Sequence, residues 1–387
     1  MNINKKNKKL KIMFLANTSW YFYNFRLSLI KFLIKNNFEI HLICPNDKFT
    51  KKLIQEGINV HTWNLKGSSI NFFKELVSIY SLYKIYKNIK PDLVHHFTIK
   101  CVLYGTFVSN ICGIKFIFNS ITGLGRIFIS SKIEYKFLKV LILPFYKLII
   151  QKSKGHFIFQ NKSDLKYFIK LNISNKKNSH LISGSGIDIN YFKNDININS
   201  FPKKGYWKLL FPSRLILEKG IIELIKACDS IWEKNKNFRL FIAGDFDINQ
   251  KGNISKSYIE EIRKRAYIEN IKYVHNMKTL YLDTDIVILP SWREGLSRII
   301  LEAGSMELPI IASNVPGCKE IIIKNKTGLL INKKDPESIK DAILLLMNNN
   351  NLCKLFGKNI RTHIEKNFTN KIINTKTINL YINIIKN

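Results

Sequence analysis

Short runs of apolar residues recur along the chain, and the segments between them carry apolar residues at helical spacing. In the first half the runs include KIMFLA, EIHLICP and DLVHHF, and one intervening segment is FRLSLIKFLIKNN. Apolar runs of this length are typical of strands buried on both faces, and a spacing of three to four residues is typical of amphipathic helices. Their strict alternation predicts parallel, doubly wound sheets.

The alternation is interrupted once, by a polar stretch that has the composition of a linker. This stretch, NYFKNDININSFPKKGYW, contains Pro and Gly but has no clear periodicity. A second set of predicted strands follows: WKLLFPS, FRLFIAGD, IKYVHN, DIVILPS, PIIAS and TGLLI. We therefore predict an α/β fold of two Rossmann-like domains, residues 1–190 and 205–387, facing each other across a cleft. The ligand is expected at the carboxyl ends of the strands that line the cleft.

Composition and charge narrow the functional class. The 387 residues, 46% of them hydrophobic, are enough for two domain cores. The net charge is +34, but only nine of the 62 basic residues are arginine. Because phosphate and base recognition favours the planar guanidinium, this lysine surplus does not indicate a nucleic-acid partner. The first 200 residues hold 31 basic and 9 acidic residues, a balance that suits an anionic membrane surface or an acidic lipid-linked substrate.

The cysteines and the apolar segments predict a reduced, intracellular protein. The six cysteines are scattered, without a C-x-x-C pair or a ligand cluster, so no zinc site is expected. The apolar run at residues 12–16 is shorter than an export signal needs. No segment approaches the roughly 18 apolar residues of a membrane span. We expect a cytoplasmic location, with peripheral attachment to the cytoplasmic face of the inner membrane as an option.

Candidate chemistry is concentrated after the predicted strand DIVILPS, in the loop WREGL and the helix SRIILEAGSM. Ser297 is a predicted N-cap, and the amides of Gly295, Leu296 and Ser297 would bind phosphate at the start of this helix. Because carboxylates repel phosphates, Glu294 and Glu302 would instead accept hydrogen bonds from hydroxyl groups on either side of a diphosphate. A nucleotide sugar offers such hydroxyls on its sugar and on its ribose.

Two cations favour this interpretation over the alternative in which both glutamates are solvated surface residues. The segment FPSRLILEKG follows the first strand of the second domain and supplies Arg214 and Lys219. Cations at the mouth of the same cleft would neutralise a diphosphate and the charge that develops as it leaves. Arginine is rare in this chain, so each arginine in or beside a motif is a candidate for a position that requires a guanidinium. These are Arg26, Arg126, Arg214, Arg293 and Arg298.

Together these motifs resemble glycosyltransferase family 4. The segment EGLSRIILE, preceded by LPS and paired with the upstream SRLILEKG, is similar to the signature of this family of retaining enzymes with the two-Rossmann-domain GT-B fold. First-domain segments such as PDLVHHFTIKCVLYG and ISGSGIDINYF resemble bacterial members that build surface polysaccharides, lipopolysaccharide or lipid-linked oligosaccharides. The chain is most similar to the type that adds an N-acetylhexosamine to a sugar on undecaprenyl diphosphate.

The resemblance implies roles for the matching positions. Arg214 and Lys219 would hold the donor diphosphate, and Glu294 the hydroxyls of the transferred sugar. The amides of residues 295–297 would hold the distal phosphate, and Glu302 the ribose. It also implies a metal-independent reaction without a cofactor, between a nucleotide sugar, expected to carry UDP, and a lipid-linked glycan acceptor. The departing diphosphate oxygen would help to deprotonate that acceptor.

The acceptor side of the site is expected in the first domain. The loop ANTSWYFYNFR supplies Asn17, whose position in the family is often part of a glycine-rich loop. The segment TGLGR supplies Thr122, Gly123 and Arg126, and its glycines would either let the acceptor approach or form a flexible turn.

The family's first-domain histidine near the sugar corresponds to His95 or His96 in VHHFT. Because side chains alternate along a strand, only one of them can face the cleft. We take His96 as the catalytic candidate, and the alternative is a packing histidine with satisfied hydrogen bonds.

Three further segments have alternative interpretations. Asp283 and Asp285 have the D-x-D spacing by which another glycosyltransferase fold binds manganese, but their place before a buried strand favours a turn. Residues 132–154 form either a basic amphipathic helix on an anionic membrane or a core helix with lysines facing water. The last segment, NKIINTKTINLYINIIKN, either packs back onto the first domain or binds a partner helix.

Two rival functions remain at this stage. One is an enzyme of the same fold that epimerises or hydrolyses the nucleotide sugar and needs no acceptor. The other is a nonenzymatic basic protein that binds nucleic acid or membrane, with steeply salt-dependent affinity that is indifferent to Glu294→Ala.

Overall fold

The computed structural model describes residues 9–65, 72–124, 140, 143–144, 146–151, 153–195, 201–244, 254–271, 274 and 276–386. The chain divides into two compact units, Met1–Gly186 with Asn370–Asn387 and Ile187–Thr369. The second unit thus begins before the polar stretch that the sequence suggested as a linker. The last segment, which the sequence boundaries include in the second domain, belongs to the first unit.

Both units are built from parallel strands and helices in alternation. The strands are β1 (Lys11–Leu15), β2 (Glu39–Cys44), β3 (Asn59–Thr62), β4 (Leu93–Phe97), β5 (Phe116–Ile121), β6 (His156–Phe159), β7 (Ser179–Leu181), β8 (Trp207–Phe211), β9 (Phe238–Ala243), β10 (Ile268–Ile271), β11 (Ile286–Leu289), β12 (Ile310–Ser313) and β13 (Leu329–Ile331). The helices are α1 (Ser19–Tyr21), α2 (Leu27–Lys35), α3 (Thr50–Gln55), α4 (Phe72–Ile89), α5 (Ile99–Ile111), α6 (Lys162–Lys170), α7 (Ile221–Trp232), α8 (Lys256–Arg263), α9 (Met277–Leu282), α10 (Arg298–Ser305), α11 (Pro336–Met347), α12 (Asn350–Asn367) and α13 (Asn370–Lys386).

The described strands of the first unit form one parallel sheet in the order β3-β2-β1-β4-β5-β6-β7. Every residue of β4 is buried, which explains why this strand appears in the sequence as a continuous run rather than an alternating one. Strand β1 pairs with β2 on one side and with β4 on the other. The strand order therefore reverses between β1 and β4, and a doubly wound sheet opens a ligand-binding crevice at such a switch point.

Helix α13 completes the core of the first unit. Ile373, Ile378 and Tyr381 are buried in the same apolar cluster as residues of β1 and β2. The Tyr381 hydroxyl lies 2.5 Å from His95 Nδ1, and its ring packs on Phe118 with a centroid separation of 4.7 Å. Of the two interpretations of the last segment, the structure therefore supports the one in which it packs onto the first domain.

The second unit repeats the arrangement in the described order β10-β9-β8-β11-β12-β13, with its switch point between β8 and β11. The described third strand of this unit, β10, begins at Ile268, three residues before the predicted segment 271–276, and Ile268 pairs with Leu240 of β9. The preceding Tyr267 is buried in the core, so the apolar residues of this strand start earlier than the sequence pattern suggested. Residues 272, 273 and 275 lie outside the described part of the chain.

Two predicted features fall outside the described residues. These are Arg126 and most of the segment 132–154, including Lys136 and Lys139. In the part of the chain that the structure does describe, no helix has both the length and the apolar character needed to cross a membrane.

Helices α10 and α12 pack closely because glycines form their contact. A methyl group on Gly304 would lie 2.6 Å from side-chain atoms of Ile360 and Ile364. A methyl group on Gly357 would lie 2.1 Å from the backbone carbonyl oxygen of Glu307, where nothing flexible can move aside. The position of α10 therefore depends on α12.

We expect Gly357→Ala to destabilise the protein by about 1–3 kcal/mol, because the added methyl group overpacks this contact. Helix propensity alone would give the opposite sign, since alanine is favoured over glycine by about 1 kcal/mol. Urea unfolding followed by fluorescence measures the change. Lys358→Ala, at an exposed position of the same helix, is the control and should shift stability by less than about 0.5 kcal/mol. A stabilised Gly357→Ala variant would contradict the close contact.

Candidate active site

The loop after β8 passes close to the end of β11. Lys219 ends a short 3₁₀ turn, and Gly220 follows with a φ of 76°. A methyl group on Gly220 would lie 2.1 Å from the carbonyl oxygen of Pro290. Glycine is required here twice, for its left-handed backbone and for the missing side chain. This contact brings two loops together at the switch point of the second sheet.

Lys219 and Glu294 form the centre of the predicted donor site. Lys219 Nζ lies 2.6 Å from Glu294 Oε1, and both side chains are mostly buried, with 16% and 14% exposed. The hydroxyl of Ser291 donates to the same oxygen at 2.7 Å. Within the described residues, Glu294 Oε2 has no hydrogen-bond partner. The carboxylate is thus held through one oxygen and can accept a ligand hydroxyl through the other.

The loop that carries Glu294 is fixed from two sides. The amide of Trp292 donates to the carbonyl of Glu218 at 2.8 Å. Gly317, with a φ of 86°, packs so closely that a methyl group there would lie 2.6 Å from the Gly295 carbonyl oxygen. The amide of Ser297 donates to the carbonyl of Gly317 at 3.2 Å. This bond corrects one prediction: the Ser297 amide donates to the neighbouring Gly317 loop, so it is not free to bind a phosphate together with the amides of residues 295 and 296.

Ser297 is confirmed as the N-cap of α10, because its hydroxyl accepts a hydrogen bond from the amide of Ile300. Glu302 follows in the second turn of the helix. Its two oxygens accept from Arg298 Nε at 2.8 Å and from the Tyr281 hydroxyl at 3.1 Å. Burial and the adjacent Glu302 raise the pKa of Tyr281 far above its usual range, so the phenol remains a donor. Glu302 is therefore oriented by partners and keeps lone pairs for a further hydroxyl.

Arg214 follows β8 at the same edge of the sheet. Its side chain is exposed, and among the described residues no carboxylate forms an ion pair with it. Lys219 is paired with the carboxylate of Glu294, and Arg298 is paired with that of Glu302. Arg214 therefore adds positive charge that is not neutralised locally, as a diphosphate would require.

The predicted acceptor residues lie at the carboxyl edge of the first sheet. Asn17 follows β1, and Thr122 and Gly123 follow β5, so the parallel strands place them along one edge. Gly123 has a φ of 150°, and a methyl group there would meet no atom of the described residues within 4 Å. Arg126 is the member of the predicted set that is not described.

The prediction of His96 as a catalytic group is corrected by the structure. Its ring is fully buried, with Nε2 at 2.9 Å from the Tyr86 hydroxyl and Nδ1 at 2.8 Å from Asn119 Oδ1. Burial lowers the pKa of His96 to about 4, although its contact with Asn119 acts in the opposite direction. A methyl group on Gly105 would lie 2.5 Å from the ring, so α5 packs directly on it. His96 is therefore the packing histidine of the alternative interpretation.

His95 is also buried and engaged. Its Nε2 lies 2.7 Å from the hydroxyl of Ser120, and its Nδ1 contacts Tyr381. Burial and the nearby positive charge of Arg26 hold the pKa of His95 well below its usual range. Both histidines of the motif stabilise the first sheet as neutral side chains.

The D-x-D segment is a structural turn. The two oxygens of Asp285 accept from the backbone amides of Lys203 at 3.0 Å and Lys208 at 2.8 Å. Asp283 forms ion pairs with the ammonium groups of Lys204 and Lys208. Burial opposes ionisation of Asp283, but the two lysines outweigh it and lower its pKa. Neither carboxylate is arranged toward a shared cation.

Three residues that orient the two glutamates, namely Ser291, Tyr281 and Gly317, were not predicted from the sequence. Ser291 is the last residue of the LPS triplet that precedes the glutamate motif, so its place in the sequence could have indicated a contact with Glu294. Tyr281 lies 21 residues from Glu302, and Gly317 lies in a separate loop. Nothing in their local sequence distinguishes them from a core tyrosine and a turn glycine.

Two family models match the chain, one in each half. The model described as Glycosyl transferases group 1 matches residues 193–363, which include Arg214, Lys219, Glu294 and Glu302. The model described as Glycosyl transferase 4-like matches residues 11–161, which span β1 to β6.

Two bacterial enzymes are similar to the chain over nearly its full length. The N,N'-diacetylbacillosaminyl-diphospho-undecaprenol alpha-1,3-N-acetylgalactosaminyltransferase of Campylobacter jejuni subsp. jejuni serotype O:2 is 27% identical, covering 98% of this chain and 100% of the relative. The UDP-Gal:alpha-D-GlcNAc-diphosphoundecaprenol alpha-1,3-galactosyltransferase of Escherichia coli is 24% identical, covering 94% of each chain.

Solved structures share the fold. A glycosyltransferase from Rickettsia africae ESF-5 superposes with a TM-score of 0.78 at 20% identity, covering 98% of this chain and 100% of that chain. HepE of Anabaena, in complex with UDP and glucose, superposes with a TM-score of 0.76 at 16% identity, covering 97% and 100%. The two family models, which match residues 11–161 and 193–363, show that the chain belongs to the group 1, family 4-like glycosyltransferases, and the solved structures show the GT-B fold.

Proposed function

We propose that this glycosyltransferase transfers an N-acetylhexosamine, with retention, from a UDP sugar to a saccharide linked to a polyprenyl diphosphate. The observation that carries the proposal is the Lys219–Glu294 pair at the switch point of the second sheet, with Arg214 at the same edge. Support for the lipid-linked acceptor comes from the two bacterial relatives, whose names specify diphospho-undecaprenol substrates. Support for UDP comes from the Escherichia coli relative and from the HepE complex.

In this proposal the donor diphosphate binds to Arg214 and Lys219. Lys219 carries three donors, so it can hold a phosphate oxygen while it keeps its bond to Glu294. Glu294 then offers Oε2 to a hydroxyl of the transferred sugar, and Glu302 offers its remaining lone pairs to the ribose. The cations stabilise the negative charge that develops on the diphosphate as the sugar leaves.

The charge arrangement supports departure and attack on the same face of the sugar. Glu294 and Glu302 are both engaged by cations, Lys219 and Arg298, which suits hydrogen bonding better than nucleophilic attack. The leaving diphosphate oxygen would then take the acceptor proton. No step in this scheme uses a metal ion, since Arg214 and Lys219 supply the positive charge.

We expect Glu294→Gln to lower kcat/KM by about 10²–10³, because a charge-assisted contact to the reacting sugar is lost while the shape is kept. The assay is UDP release with saturating acceptor. Glu218→Gln, at an exposed neighbouring position whose carboxylate has no role in the proposal, is the matched control and should leave kcat/KM within about twofold. Equal activity of the Glu294→Gln variant and the wild type would remove Glu294 from the site.

A donor panel tests the reaction itself. UDP, GDP and dTDP sugars are incubated with the full chain in EDTA, with and without an extract of lipid-linked acceptors. We expect release of UDP that depends on the acceptor and persists in EDTA. Release without acceptor would favour the rival hydrolase or epimerase, and a requirement for added metal would contradict the metal-independent scheme.

We further propose that the first unit docks on an anionic membrane, where such an acceptor resides. One face of α4 exposes four apolar residues at positions i, i+3, i+4 and i+7, which is the spacing of an interfacial helix. These are Phe73, Leu76, Val77 and Tyr80, with exposed fractions of 76%, 47%, 66% and 58%. The single acidic residue of the helix, Glu75, is bound to Lys100 and Tyr104. The exposed lysines of α4 therefore face lipid phosphates without local competition from a free carboxylate.

Leu76→Glu with Val77→Glu should reduce sedimentation with phosphatidylglycerol vesicles at least about tenfold, because apolar burial is replaced by repulsion from the anionic surface. Leu345→Glu with Leu355→Glu, at exposed apolar positions in the second unit, is the control and should have little effect. Lys136→Glu with Lys139→Glu tests the segment 132–154 in the same assay. Unchanged sedimentation of the α4 variant rules out α4 as the docking face, and unchanged sedimentation of the lysine variant does the same for that segment.

A further inference from the structure

The first sheet has its own switch point, and a cation is buried there. Strand β1 pairs directly with β4, with Leu15 opposite His96. The chain that follows β1 contains Arg26, and the chain that follows β4 begins α5. Because β1 and β4 are adjacent and parallel, both segments leave the same edge of the sheet. This is the position at which doubly wound sheets bind ligands.

Arg26 is 5% exposed, yet no carboxylate among the described residues forms an ion pair with it. Its Nε donates to the Tyr21 hydroxyl at 2.9 Å, and its guanidinium carbon lies 4.7 Å from the centroid of the Phe97 ring. The two terminal nitrogens have no hydrogen-bond partner within the described chain. The guanidinium is thus nearly enclosed, yet its terminal donors are not used by the protein, so the side chain is suited to receive an anion.

The start of α5 lies next to this guanidinium, because Thr98 directly follows Phe97. Thr98 has a φ of 72°, an unfavourable conformation for a residue with a side chain, and it does not cap the 13-residue helix. Its hydroxyl oxygen is buried and has no hydrogen-bond partner among the described residues. The first turn of α5 therefore presents a positive helix end without a side-chain cap.

The neighbouring helix start is already neutralised. The amides of Ser19 and Trp20, at the beginning of α1, both donate to the carboxylate of Asp47, at 2.9 Å and 3.2 Å. An incoming anion would be repelled by Asp47 and attracted to Arg26 and α5. The charges at this switch point thus favour anion binding at Arg26 and the start of α5 over binding at the start of α1.

We propose that Arg26 and the first turn of α5 bind a phosphoryl group of the acceptor's diphosphate. The identity of the ligand rests on the proposed function, in which two diphosphates take part. The donor diphosphate is assigned to Arg214 and Lys219 in the second unit. The polyprenyl-diphosphate acceptor is the substrate that brings a second one. A guanidinium with two free terminal nitrogens matches the paired oxygens of a phosphate.

The test measures binding to the full chain by titration calorimetry, with farnesyl diphosphate and UDP as separate probes. Arg26→Met should weaken farnesyl diphosphate about 10- to 100-fold, the range for lost charge-assisted hydrogen bonds, and leave UDP unchanged. Arg214→Met should do the reverse. Arg263→Met, at an exposed position of α8, is the matched control and should change neither.

Thermal unfolding separates a binding role from a structural one. Methionine fills a similar volume without a charge, so ligand-free Arg26→Met should unfold at the same temperature as the wild type or higher. If Arg26→Met unfolds at a lower temperature but binds farnesyl diphosphate with unchanged affinity, the proposal is overturned. It is also overturned if the variant binds UDP more weakly and farnesyl diphosphate as before. The binding assay needs no turnover. Arg26-dependent binding of farnesyl diphosphate would therefore support the phosphate site even if the transfer reaction were disproved.

Discussion

The proposed donor site depends on how closely the chain passes over the end of β11. Gly220 approaches the Pro290 carbonyl at a distance that no side chain would allow, and this contact sets Lys219 beside Glu294. The contact is made of backbone, so it fixes the ion pair more firmly than the long lysine side chain could by itself. Preorganised charges of this kind need little rearrangement when charge develops on a ligand.

The two switch points solve the same electrostatic problem in different ways. In the second unit each carboxylate is paired with a cation, so the site is nearly neutral apart from Arg214. In the first unit Arg26 is buried against aromatic rings, and among the described residues its Nε contacts the Tyr21 hydroxyl and no carboxylate pairs with it. A paired site keeps its shape without ligand, whereas an unpaired buried cation lowers the stability of the free protein and returns that energy when an anion binds.

The sequence predicted most of the fold, because buried parallel strands give continuous apolar runs such as DIVILPS and KIMFLA that few other structures produce. It also predicted the Ser297 cap, which depends on local backbone geometry alone. It could not predict that His96 would pack against Gly105, since that contact depends on the position of α5. The contact between Tyr281 and Glu302 could not be predicted for the same reason, since it forms only when the fold brings α9 toward α10.

Helix α13 makes the first unit discontinuous along the chain, whereas the second unit is one uninterrupted segment, Ile187–Thr369. During synthesis the first sheet is complete long before Tyr381 exists to cover His95 and Phe118. Part of the apolar surface of the nascent first unit therefore stays uncovered while the whole second unit is synthesised. Closing that long loop carries an entropic cost, so the final helix is added late in folding, and a chain that stops short of it leaves the core of the first unit incomplete.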